Sequence, residues 1–230
     1  MQQDPVRRDG TRVVYGEPIR ESALQTNKVL RSTYMLLSVT LLFSAAMAGV
    51  SMALKLPYFG PLLTIGGMFG LLFLTHALRN SAGGIIAVFA FTGFMGLVLG
   101  PTLTMYMENV PNGGELILTS LGATGLIFLS LSAYVLKTGK DFSFLGGFLT
   151  VGLIGIVIVM LLGWFVFDFS AYQMTISSAV VLLMGGFILF DTSRIIHGGQ
   201  TNYISATVSL YLSIYNIFIH LLMLLGGNRE

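Results

Sequence analysis

Residues 203–225 read YISATVSLYLSIYNIFIHLLMLL, a stretch with no Asp, Glu, Lys or Arg. As a helix rising about 1.5 Å per residue, it is long enough to cross a hydrocarbon core roughly 30 Å thick. The stretch is not uniformly apolar, however. Asn202, Ser205, Ser209, Ser213, Asn216 and His220 recur at intervals of 3, 4, 4, 3 and 4, which places all six on one face of a helix. Lipid does not reward a polar stripe, so this face is expected to meet protein or water. Two roles are compatible with it: hydrogen bonding between helices, typically worth about 1 kcal/mol or less per contact, and the lining of a polar cavity. Both make this helix central.

Six more stretches of spanning length precede it, near Thr33–Leu54, Tyr58–Leu78, Ala82–Tyr106, Leu116–Leu136, Phe142–Phe167 and Ala171–Phe190. Charge, proline or polar clusters separate them: Lys55 and Pro57, then Arg79-Asn80-Ser81, then the turn-rich Glu108–Glu115 with Pro111-Asn112-Gly113-Gly114. Lys137–Asp141, Asp168 and Arg194–Asn202 bound the remainder. The composition agrees, with 10% charged residues, 54% hydrophobic residues and 28 glycines scattered through apolar runs. The expected fold is an all-α integral membrane protein, a bundle of seven transmembrane helices. Residues 29–230 form that domain, and residues 1–28 form a polar tail expected to be flexible.

Charge sets the expected orientation. With the N-terminus in the cytoplasm, Arg7, Arg8, Arg12, Arg20, Lys28, Arg31, Arg79, Lys137, Lys140 and Arg194 lie inside, and only Lys55 and Arg229 lie outside. The reverse orientation inverts that bias, against the positive-inside rule. Seven spans then leave the C-terminus outside. The tail has no apolar h-region and is not read as a secretory signal.

Few residues can carry chemistry. There is no cysteine, hence no disulfide or thiolate site, and the net charge of +2 gives no argument for nucleic acid. No phosphate loop, zinc motif or nucleophile–base pair is present, so no catalytic residue, metal site or cofactor is assigned and no enzyme is expected. Ionisable groups at membrane depth are costly and stand out. Asp191 ends the sixth stretch in Phe190-Asp191-Thr192-Ser193-Arg194, and Arg194, three residues on, is placed to pair with it. His197 is expected in the following loop, solvated, and His76 at an interface beside Arg79. Gly96 and Gly100 form a small-xxx-small pair, extended by Gly93, which reads as a helix-packing face.

Gly96-Leu97-Val98-Leu99-Gly100-Pro101-Thr102-Leu103 resembles the signature of the Bax inhibitor-1, or transmembrane Bax-inhibitor-motif, family. Phe190-Asp191-Thr192 and the Ser209-Leu210-Tyr211-Leu212 and Tyr215-Asn216-Ile217-Phe218 segments are similar to that family's last two helices. The likeness runs from the polar tail to the final helix. It is strongest to the bacterial YccA branch, through His197-Gly198-Gly199, Thr201-Asn202-Tyr203 and Ser213. That resemblance implies a seven-helix bundle in the bacterial inner membrane with the last helix at its centre.

It also implies two functions. In the YccA branch the protein interacts with FtsH, the membrane-anchored ATP-dependent protease. It is itself degraded from its cytoplasmic tail and so limits destruction of other membrane proteins. Other members act as pH-sensitive calcium leak channels, in which a carboxylate on the sixth helix and one on the seventh share a proton. Asp191 matches the first carboxylate, but Ser213 stands at the second position and cannot titrate. Ser213 is still able to donate a hydrogen bond to Asp191, and Arg194 to hold that carboxylate as an ion pair. The protease modulator is therefore the primary expectation. The pH-sensitive calcium (cation) leak is the alternative, with Ca2+ or H+ as partners and Asp191, Arg194, Ser213, Ser209, Asn216 and His220 as candidates for its pore, its gate or the polar core.

Overall fold

The computed structural model describes residues 17–165 and 172–227, all in helices and short connections. Seven helices follow in order: α1 (Glu17–Ala53), α2 (Gly60–Leu78), α3 (Gly83–Asn109), α4 (Gly113–Thr138), α5 (Leu145–Phe165), α6 (Gln173–Ile196) and α7 (Tyr203–Gly227). There is no strand among the described residues. Among the described residues six helices, α1 to α4, α6 and α7, are long and apolar enough to cross a membrane, and α5 contributes the shorter apolar stretch Leu145–Val159. The turn expected at Asp168, residues 1–16 of the polar tail and the extreme C-terminus lie outside the described residues.

The expected stretches fall on these helices, with two differences of consequence. Helix α1 begins at Glu17, well before the apolar run at Thr33. Its first turns are polar, so hydropathy gives no sign of them, yet the run from Glu17 to Arg31 has neither glycine nor, after Pro18, proline to stop a helix. Helix α6 continues to Ile196, so Asp191 lies inside the helix rather than at its end. The turn-rich connection before α4 is also short. Val110, Pro111 and Asn112 alone separate α3 from α4, with Asn112 in the left-handed region at φ +57°.

Helix α7 is wrapped by α1, α2, α3, α4 and α6, and none of its residues from Tyr203 to Gly226 is exposed. The most extensive pairing elsewhere is α1 on α3. Here the Gly96–Pro101 motif has a direct physical reading. A Cβ on Gly96 would collide with the Ser44 carbonyl, and one on Gly100 would collide with the Ser51 side chain. The glycines thus let the two backbones approach. Pro101 has no N–H to offer the carbonyl of Leu97, four residues earlier, and the Ser51 hydroxyl donates to that carbonyl at 2.8 Å instead. The proline frees an acceptor and a buried serine on α1 takes it. On the α1 side the buried face is a ladder of small polar residues, Thr40, Ser44 and Ser51, with Ala48 between.

The periphery differs. Among the described residues α5 packs only on α6, and α2 only on α3 and α7. Among the described residues the α2 and α5 backbones do not approach each other, and a cleft between them reaches the side of α7.

Candidate functional site

The polar stripe of α7 faces that cleft. A cavity of about 440 Å³ is lined on one side by Ser209, Ser213, Asn216 and His220. Apolar residues of α2, α5 and α6 form the other walls, among them Met68, Leu153, Ile156 and Phe187. A second cavity of about 460 Å³ adjoins it, sharing Phe69, Leu72, Ser209 and Leu212, and continues to Ser205 and His76. Together the two follow the stripe along most of α7.

The start of α7 is fixed by Asn202. Its side-chain oxygen accepts the Ser205 N–H at 3.0 Å, the N-cap arrangement that satisfies a first-turn donor. Its amide donates to the Arg79 carbonyl at 3.0 Å and to the Asn80 side chain at 2.9 Å. One side chain thus caps α7 and ties it to the α2–α3 turn. His76, in the last turn of α2, receives the Arg79 guanidinium at 2.9 Å and is exposed, as expected of an interfacial histidine.

Asp191 is buried, with 8% of its surface exposed. Its partner is not the one the sequence suggested. Ser209 donates to the Asp191 carboxylate at 2.5 Å, whereas the Ser213 hydroxyl donates to the Ser209 carbonyl of its own helix at 3.2 Å. Serine in a helix readily bonds back to the carbonyl four residues earlier, and Ser209, one turn closer to the start of α7, is the residue level with Asp191. Arg194 makes no ion pair with Asp191 either. Its guanidinium donates to the Gly199 carbonyl at 2.9 Å and lies 5.3 Å from the Phe190 ring centroid, turned toward the exposed end of α6. Spacing of three residues brought the two onto adjacent sides of the helix, and the α6–α7 turn offered the arginine a closer acceptor.

Farther along the stripe, Asn216 donates to the Leu212 carbonyl of its own helix at 2.8 Å. His220 Nδ1 lies 3.1 Å from Ser177 Oγ on α6. Helices α6 and α7 are therefore joined at two polar levels, Asp191–Ser209 and Ser177–His220, with Ser213 and Asn216 between them bonded only to their own backbone.

Two features escaped the sequence reading. Tyr211, 1% exposed, sits on the far side of α7, where its hydroxyl lies 2.7 Å from Ser44 Oγ and its ring packs edge-on to Phe91. A tyrosine in an apolar run reads as an interfacial aromatic, and only the fold shows it at the centre. The second is a clip at the end of α6. Ser193 accepts the Phe142 N–H at 2.8 Å and donates to Asp141 at 3.2 Å, binding the α4–α5 turn to α6. Hydrogen bonds from Ser143 hold the exposed Asp141 carboxyl below the usual carboxylate range. His197 caps α6 and is exposed. Among the described residues, no three His, Asp or Glu side chains are grouped to hold a metal ion.

A helix bundle with six bilayer-length apolar helices and a last helix enclosed by the others defines a polytopic membrane protein. The chain belongs to the Bax inhibitor-1 family: residues 26–230 match the family model described as inhibitor of apoptosis-promoting Bax1. Among its relatives is the "Modulator of FtsH protease YccA" of Escherichia coli K12, 51% identical over 215 residues, covering 94% of this chain and 97% of that protein. A copy from another Escherichia coli strain, equally similar, is named an inner membrane protein. An uncharacterized protein of Pseudomonas aeruginosa is 51% identical over 205 residues, covering 88% of this chain and 90% of that one. An uncharacterized membrane protein of Vibrio cholerae is 46% identical over 207 residues, covering 90% and 92%.

Proposed function

We propose that this chain binds and modulates the membrane-anchored ATP-dependent protease FtsH. It acts as a substrate and competitor that limits degradation of other membrane proteins. The observation that carries the reading is the 51% identity to the FtsH modulator of Escherichia coli across 97% of that relative. The chain is a multi-pass protein of the bacterial inner membrane, which puts it in the same bilayer as a membrane-anchored protease. In this reading it spans the membrane seven times with its N-terminus in the cytoplasm, and the polar segment 1–28 is the handle. Deleting residues 2–25 is expected to leave membrane insertion intact and to slow turnover of the protein by FtsH. Unchanged turnover in a pulse-chase measurement would remove the tail from the mechanism.

A second reading is a pH-sensitive calcium (cation) leak. It is favoured by one observation: the α7 stripe, with the buried Asp191 beside Ser209, borders cavities along most of the helix. Ser213 weighs against it, because it stands where a second titrating carboxylate is needed and its hydroxyl is engaged with its own helix. The discriminating measurement is calcium flux into proteoliposomes between about pH 5 and 8. Flux that Asp191→Asn alters would establish the leak; vesicles that stay tight at every pH would dismiss it.

A further inference from the structure

A different group of residues, where α1 enters its apolar run, lines two adjoining pockets. Lys28 and Arg31 stand one turn apart on α1, where the polar first turns give way to the apolar run. A pocket of about 420 Å³ is lined by Asn27, Lys28, Arg31, Ser32 and Met35. Beside it lies a second pocket of about 430 Å³, closed by Gln200 and Thr201 of the α6–α7 turn and by Tyr203 at the start of α7. The two share Lys28 and Ser32. Two cations, two amides and four hydroxyls thus line the two adjoining pockets, and among the described residues no acidic side chain lines either one.

The surface below this group changes character abruptly. Met35, Val39 and Leu42 continue the same exposed side of α1 at intervals of 4, 4 and 3 from Arg31, and they are 56%, 48% and 73% exposed. The opposite side, Thr33, Leu37, Thr40 and Ser44, is buried against the bundle. Cationic and hydrogen-bonding groups therefore sit directly above an apolar ridge running into the bilayer. A soluble phosphate compound would use only the upper part. An acyl chain alone would use only the lower part.

We propose that this site binds an anionic phospholipid. Its phosphate is held by Lys28 and Arg31, with Asn27, Ser32 and Thr201 as hydrogen-bond donors, and one acyl chain lies along Met35, Val39 and Leu42. Basic pockets between helices at the membrane surface are suited to such headgroups. The snorkelling stems of lysine and arginine let their charges stay at headgroup level while the methylenes cover apolar surface. Because the second pocket is walled by the α6–α7 turn, a bound headgroup braces α1 against the start of α7.

The test is native mass spectrometry of the full chain in a neutral detergent, titrated separately with phosphatidylglycerol, phosphatidylcholine and inorganic phosphate. The site predicts retained phosphatidylglycerol adducts and far weaker phosphatidylcholine adducts. Lys28→Gln with Arg31→Gln is expected to weaken phosphatidylglycerol binding roughly thirtyfold, from the attraction each basic side chain adds near an anionic headgroup. The charge-preserving pair Lys28→Arg and Arg31→Lys is expected to retain it. Both pairs lie on exposed positions, and an unchanged melting temperature for each shows that the fold is kept. Equal phosphatidylglycerol retention in the Gln pair would overturn the assignment. So would equal retention of both lipids by the wild type, or displacement of phosphatidylglycerol by millimolar inorganic phosphate.

Discussion

Helix α7 has two polar sides that differ in what their side chains reach. On the side toward α1 and α3, Thr207 and Tyr211 extend to other helices. The Thr207 hydroxyl, which donates to the Tyr203 carbonyl of its own helix at 2.8 Å, also lies 3.3 Å from the Thr33 carbonyl, and the Tyr211 hydroxyl lies 2.7 Å from Ser44. On the side toward the cleft, Ser213 and Asn216 bond to their own helix, while Ser209 and His220 reach across to α6. The first side holds the bundle together. The second leaves hydrogen-bonding capacity facing a cavity, and a helix buried on nearly all sides keeps such a line only at some cost in stability. The difference teaches that a polar residue in a membrane helix is not informative alone. Its partner decides whether it is structural glue or an available surface.

Substitutions on the two sides should therefore separate widely. The largest effect is expected for Tyr211→Ala, which opens a cavity in the core and strands Ser44. Large-to-small aromatic changes cost about 3–5 kcal/mol, enough to be seen as reduced yield and a lower melting temperature in detergent. Ser51→Ala comes next. It deprives the Leu97 carbonyl, already missing its helical donor because of Pro101, of the hydroxyl that replaces it. An unsatisfied buried acceptor costs about 1–3 kcal/mol. A Ser51→Ala protein as stable as the wild type would break the account of the Gly-Pro motif.

Ser209→Ala should cost a comparable amount, because it leaves the buried Asp191 carboxylate without its hydroxyl donor. Ser213→Ala, one turn along the same stripe, should change stability by no more than about 0.5 kcal/mol. Its hydroxyl shares a carbonyl that the helix already satisfies. Equal losses at the two serines would show that the cleft side is not divided in this way. The smallest effect concerns the α4–α5 clip. Hydrogen bonds lower the Asp141 pKa in the fold, so its contribution is present above the ordinary carboxylate range and is lost only as pH falls through the depressed value. Melting temperatures of wild type and Asp141→Asn should therefore differ by the same small amount at pH 7 and pH 6.

Much of this architecture was legible in the residues. The apolar runs located the helices because length and hydropathy suffice for a span, and the 3,4 spacing of serines identified α7 as enclosed. The glycine pair was recognisable as a packing face. What Pro101 adds was not, because its consequence depends on a serine fifty residues earlier. Asp191 shows the same limit. Spacing along one helix suggested Arg194, and a family resemblance pointed to Ser213, but the axial level of one helix against another selected Ser209. The polar start of α1 was invisible to hydropathy, which registers membrane segments rather than helices as such.

The central claim is that this chain limits what FtsH destroys, and a reconstituted system addresses it directly. FtsH and a second membrane substrate are placed in proteoliposomes with ATP, and loss of that substrate is followed with and without the purified chain. The account predicts slower loss of the second substrate in the chain's presence, with the chain itself consumed. A degradation rate that the chain leaves unchanged at every ratio to FtsH would contradict it.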